Sequence, residues 1–205
     1  MSMTLNPVNE AAFQKAVQSL ETLNRAAVFH PTGTGKSCIA WKVVEAHPQT
    51  TFFWLVAGAQ RLALRQAELT RYNGGTLPGN VRFCDCEKLA AATPEQWVRL
   101  GEQKPGCIVL DCYHELSAVC WAQSVQKLLR MCPQAKVLGL GVPNGAPVCA
   151  AAQELFADCI VSHMTVAEAM AAGESRVTDA AQIEADDDVI RSLVDQIVSA
   201  GEWPF

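Results

Sequence analysis

The sequence predicts an α/β fold built as three layers, a mainly parallel sheet with helices on both faces. Three observations lead there. Short apolar runs near 26–30, 51–57, 81–84, 107–110 and 135–140 alternate with segments of helical periodicity. A glycine-rich run, His30-Pro31-Thr32-Gly33-Thr34-Gly35-Lys36-Ser37, joins the first apolar run to a helical one, which is the strand–loop–helix order of a phosphate-binding loop. Hydrophobic residues make up 50% of the 205 and charged residues 18%, enough for the large core such a sheet needs.

The elements follow in order. Phe13, Ala16, Val17, Leu20 and Leu23 recur at helical spacing over 9–23, with Asn9 a candidate N-cap. A strand over 26–30 leads into the loop, and a helix over 36–46 ends at His47-Pro48. Thr51 to Ala57 is continuously apolar and aromatic, as a strand covered on both faces must be. A helix over 60–70 stops at Asn73-Gly74-Gly75. A strand over 81–84 and a helix over 94–100 come next, then a buried strand over 107–110 closed by Asp111. Val125, Leu128 and Leu129 define the inner face of a helix over 121–129. A strand over 135–140, a helix over 146–156 and a short strand over 159–161 follow, and Thr165 is placed to cap a helix reaching Ala172. Residues 174–205 differ in character. They are polar and acidic up to Asp186-Asp187-Asp188, then amphipathic over 188–200. The aspartates suit the positive end of that last helix. The expected division is a domain over 1–173 and an acidic linker with a terminal helix over 174–205.

Several functions are disfavoured by composition. A formal net charge of −5 does not favour strong standalone binding to nucleic acid, which needs clustered Lys and Arg. No apolar stretch is long enough to span a membrane, and the first residues lack the basic and apolar regions of a signal peptide. Nine cysteines are scattered, with no C-x-x-C pair. Cys84 and Cys86 are two apart, which on a strand puts both on one face. The expectation is small buried thiols in a reducing cytosol, with no zinc site.

The loop carries the chemistry. Gly33 and Gly35 can take backbone angles closed to other residues, so successive N–H groups can converge on one anion. The helix from Lys36 adds its positive end. Lys36 would reach the outer phosphates and Ser37 would ligate Mg²⁺. Thr32, Gly33, Thr34, Gly35, Lys36 and Ser37 are therefore the expected nucleotide-binding residues. The alternative is a glycine-rich turn without a ligand. A phosphate loop also predicts an acidic residue at the end of a nearby strand, and Asp111 supplies it, with a plain turn or capping role as its alternative.

The form Pro-Thr-Gly-Thr-Gly-Lys-Ser resembles motif I of superfamily 2 helicases, in which the first glycine of the general pattern, here His30, is often absent. Asp111-Cys112-Tyr113-His114 resembles the D-E-x-H box of that family with its glutamate replaced. Val137-Leu138-Gly139-Leu140-Gly141-Val142-Pro143 resembles the strand that ends there in Ser-Ala-Thr, with the triplet lost. The resemblance covers about residues 6–173. It implies the first RecA-like domain of a DEAD/DEAH-like helicase. ATP or ADP would be bound with Mg²⁺ between Ser37 and Asp111. Asp111 and His114 would belong to the catalytic machinery, with a structural role equally open for His114; Gln14 would be placed to read adenine, although a helix-surface glutamine is the stronger reading. DNA or RNA, and a second RecA-like lobe or other protein, would be partners. Gln60 and Arg61 fall where the family places a nucleic-acid contact, and Arg61 and Arg65, one helical turn apart, could touch phosphate, although two arginines on a helix are more often a solvated face.

Three departures limit the activity. Cys112 cannot replace the glutamate that positions and deprotonates water, a loss of about 10²–10⁴-fold in rate. Glu115, three residues on, would point elsewhere. Gly141, Val142 and Pro143 lack the hydroxyls that would couple an ATP site to nucleic acid through His114. The 205 residues leave no room for the second lobe, whose arginines are worth about 10³–10⁵ in related phosphate chemistry. The expectation is a cytoplasmic ATP-binding domain with weak or no hydrolysis. One alternative is an ATPase lobe completed by another polypeptide, and the other is a fold kept as an interaction surface.

Overall fold

Arg25–Phe29 (β1) is a parallel strand whose Ala26, Ala27 and Val28 are wholly buried. The structure is a computed structural model that describes residues 3–111, 113, 121–143 and 154–172. Five further strands join β1 in one sheet: Phe52–Val56 (β2), Val81–Asp85 (β3), Cys107–Asp111 (β4), Lys136–Gly141 (β5) and Ile160–His163 (β6). Their order is β3-β2-β4-β5-β1-β6 and every pairing is parallel. All carboxyl ends therefore lie along one edge, where α/β sheets bind ligands.

The helices are Pro7–Thr22 (α1), Lys36–Ala46 (α2), Ala59–Tyr72 (α3), Cys86–Ala90 (α4), Pro94–Glu102 (α5), Gln126–Met131 (α6) and Val166–Ala171 (α7). A π-helical turn, Trp121–Val125, runs into α6. Strand periodicity sorts the sheet's side chains onto two faces. Val28, Phe52, Trp54, Val56, Val109 and Leu138 pack with Ile39, Val43 and Leu62 from α2 and α3 and with Ala16 and Leu20 from α1. Ala27, Phe53, Leu55, Ile108, Leu110 and Val137 pack with Trp97, Val125, Leu128 and Phe156 on the opposite face. These are the three layers of a RecA-like α/β fold. Gly139 lets the Phe156 ring lie on the sheet, because a Cβ there would sit 2.6 Å from Phe156 Cζ.

Three local expectations change. Asn6, not Asn9, caps α1. Its side chain accepts the Asn9 N–H at 2.7 Å, and Pro7 occupies the first turn, where its missing N–H costs nothing. Cys84 and Cys86 do not share a strand face, since Cys86 opens α4 after Asp85 caps it. The last strand lies over 160–163 rather than 159–161. Thr165 caps α7 as expected, in a reciprocal capping box with Glu168.

Of the helix expected over 146–156, residues 154–156 are described and helical. The tail over 174–205, with its acidic run and terminal helix, lies outside the described residues, as do Cys112, His114 and Glu115. Cys38, Cys84, Cys86, Cys107, Cys132 and Cys159 are free thiols. Burial pushes Cys84 and Cys107 up to about 12, which keeps both protonated and unreactive. No helix of the described residues is long and apolar enough to cross a membrane.

Candidate functional site

The chain leaves β1 at Phe29 and forms the loop at the carboxyl edge of the sheet. Gly33 and Gly35 both take left-handed backbone angles, with φ of 83° and 87°. Gly35 is the N-cap of α2 and has no side chain to satisfy the first N–H groups of that helix. Thr32 and Gly33 are exposed, whereas Thr34 is buried with its hydroxyl donating to the Pro31 carbonyl at 2.8 Å. Thr34 therefore offers a ligand its backbone rather than its side chain.

Lys36 is buried, and its ammonium donates to the carbonyls of His30 and Pro31 at 2.7 and 2.8 Å. It spans the loop from within. A bound phosphate would compete with those two carbonyls for the same ammonium. α1 supports the loop from behind, where Asn9 Nδ2 donates to the Thr34 carbonyl at 2.8 Å. Asn9 Oδ1, buried beside it, has no hydrogen-bond partner among the described residues.

His30 stands where the general glycine-loop pattern has its first glycine. Its N–H donates to the Gly141 carbonyl at 3.2 Å, tying β1 to β5. Its ring is wholly buried, and Nε2 shares a 2.8 Å hydrogen bond with Ser162 Oγ on β6. Burial first, then the charges of Lys36 and His163, lower its pKa to about 4, so the ring is neutral near pH 7. His30 is a strut between β1 and β6, with its carbonyl given to Lys36.

Asp111 ends β4 and is 2% exposed. One carboxylate oxygen, Oδ2, accepts from Trp54 Nε1 at 3.0 Å and from Arg65 Nε at 2.5 Å. Arg65 Nη1 donates to Ser37 Oγ at 2.5 Å and pairs with Glu68 one turn along α3. Ser37 and Asp111, expected from the sequence as the cation pair, are thus brought to one place with the Arg65 guanidinium between them. A divalent cation does not fit there in this arrangement, because guanidinium nitrogens already lie within hydrogen-bond distance of both oxygens. The phosphate cradle does fit its expected ligand. Two left-handed glycines, an uncapped helix start and a lysine converge at the carboxyl end of β1.

The remaining candidates separate. Gln14 donates to Glu10 at 2.9 Å on the exposed face of α1. Gln60 and Arg61 are exposed at the start of α3, one turn from the inward-facing Arg65. Tyr113 turns into the second core, against Phe29 at a ring-centroid distance of 5.8 Å and Phe156 at 5.1 Å. Burial raises its hydroxyl to about 12. Sequence reasoning missed two residues. Asn9 is one: Asn6-Pro7 carries the capping signal of α1, which leaves the Asn9 side chain to hold the loop. Asp85, at the end of β3, takes the N–H of Gly58 at 3.3 Å and of Glu87 at 2.9 Å, and so ties the β2–α3 turn to α4. No protein-family model matches this chain, and no curated protein matches it significantly.

Proposed function

We propose that this chain is a nucleotide-binding domain of the helicase type, taking ATP or ADP through Thr32–Ser37 and hydrolysing it slowly or not at all. The observation that carries the reading is the pair of left-handed glycines, Gly33 and Gly35, directly ahead of Lys36 at an uncapped helix start. Such a turn aims backbone N–H groups at one anion, and the α2 dipole adds positive charge. Lys36 would exchange the His30 and Pro31 carbonyls for phosphate oxygens. That exchange trades neutral acceptors for a charged one, which strengthens the hydrogen bond.

Weak turnover follows from chemistry that the chain lacks. Cys112 stands where a base would orient water, and a thiol with its ordinary pKa near 8.5 is a poor base. Gly141, Val142 and Pro143 carry no hydroxyl to pass the state of the site onward. Binding without efficient cleavage suits a module that reports or responds to nucleotide. Calorimetric titration of ATP into the parent and into Lys36→Ala tests the reading. Micromolar binding in the parent that is lost in the variant supports it, and no binding by the parent overturns it.

A further inference from the structure

Ser37 Oγ and Asp111 Oδ2, the two oxygens that a phosphate-loop protein turns toward a divalent cation, each lie 2.5 Å from a nitrogen of the same guanidinium. We infer that Arg65 is the built-in cation of this site and that nucleotide polyphosphate binds here without Mg²⁺. The inference rests on the nucleotide reading above and narrows it to the metal-free anion.

The geometry supports the substitution on three counts. First, Arg65 is anchored and not draped across the site. Its Nε holds a carboxylate that is 2% exposed, while Nη1 holds Ser37 and Glu68. Removing the guanidinium would leave Asp111 as a buried charge held by Trp54 Nε1 without its counter-ion. Second, Mg²⁺ demands near-octahedral oxygen ligands and sheds water reluctantly. Here the Asp111 oxygen is already shared by two N–H donors. Third, a guanidinium carries five donors in a planar fork and keeps its charge at any relevant pH. It pairs with phosphate oxygens in the same geometry that it uses for carboxylates. Arg65 places one fixed positive charge where Mg²⁺ would bring two, and Lys36 adds its own charge from within the loop.

The consequence is a site whose affinity does not depend on divalent cations. Titration of ATP and ADP into the full chain, once in EDTA and once in excess Mg²⁺, tests this directly. The expected dissociation constants agree within about threefold, where a tenfold change is about 1.4 kcal/mol. Arg65→Gln, with its fold checked by circular dichroism and thermal melting, is expected to bind about 10–100-fold more weakly in EDTA and to recover when Mg²⁺ is added. Arg65→Lys, which keeps a charge but loses the fork, should fall between the two. If the parent tightens about tenfold or more on adding Mg²⁺, the inference is wrong and the nucleotide reading stands. Equal binding of parent and Arg65→Gln in EDTA also overturns it. Absence of nucleotide binding in both buffers overturns the inference and the nucleotide reading together. Should Arg65→Gln fail to fold, the EDTA and Mg²⁺ titrations of the parent still decide.

Discussion

Asn9 holds Thr34. The side-chain amide of a residue in the first turns of α1 reaches the loop carbonyl at 2.8 Å, so the helix ahead of the sheet fixes the shape of the glycine loop. A Cβ on Gly35 would lie 2.8 Å from that same Asn9 nitrogen, and Gly35 already sits at a φ of 87°. Gly35→Ala is therefore expected to cost about 1–3 kcal/mol from backbone strain, and more from the displaced amide. In an Asn9→Ala background the collision disappears and only the strain remains. Urea denaturation of the two single variants and the double variant should show costs that are less than additive. Full additivity would mean that the two residues are not in contact.

The Asp111–Arg65 pair sets a second expectation. Asp111→Ala removes a buried carboxylate that neutralises a largely buried guanidinium, and it also leaves Trp54 Nε1 unpaired. Breaking such a pair from one side costs about 3–5 kcal/mol. Ser37→Ala, which removes one hydroxyl acceptor, should cost about 1 kcal/mol. Thermal melts of the two variants should keep that order, and a near-neutral Asp111→Ala would contradict the buried pairing.

His30 makes stability depend on acid. The unfolded chain binds a proton at the ordinary histidine pKa of 6.5, whereas the folded ring binds one only near pH 4. The folded state therefore holds fewer protons between those values, and stability that is present above pH 6.5 is lost as pH falls toward 4. The loss from this group should reach about 2 kcal/mol at pH 5. His30→Gln, which keeps a hydrogen-bonding side chain opposite Ser162, should lose stability less steeply over that range. Urea midpoints at pH 7.5 and pH 5 for parent and variant measure the difference, and equal slopes would exclude His30 as the source.

On the nucleotide reading proposed above, a glutamate at position 112 should not by itself produce turnover. If Cys112 were the sole defect, Cys112→Glu would raise ATP hydrolysis by about 10²-fold or more. With a guanidinium between Ser37 and Asp111, the single variant is expected to stay at background. Cys112→Glu combined with Arg65→Gln in Mg²⁺ is the version expected to show turnover. A colorimetric phosphate-release assay separates the two outcomes.

Much of this architecture is legible in the sequence because periodicity is a local signal. Continuous apolar runs mark strands covered on both faces, and Phe52–Val56 is buried at every position, as its composition demands. The Gly33 and Gly35 pattern is local too, since left-handed angles are encoded residue by residue. What escaped was either too short or too distant. α4 spans only Cys86–Ala90, less than two turns, and leaves no helical period to read. The inward turn of Arg65 depends on its side chain reaching Asp111 at the end of β4, a relationship between residues far apart in sequence. An arginine on an amphipathic helix reads as solvated until its partner, here Asp111, is known to lie beneath it.

The strand order also dictates when the loop can exist during synthesis. β1 is made early, yet its sheet partners are Val137–Gly141 and the segment around Ile160–His163. Until those residues leave the ribosome, the strand that launches the glycine loop has no neighbour on either side. The first strands able to pair are β2 and β3, which adjoin in both sequence and space. Assembly should thus begin at the edge remote from the glycine loop and close around β1 last, with the slow kinetics that long-range parallel pairing imposes. A nascent chain ending before residue 136 would carry every residue of the glycine loop and still have no cradle.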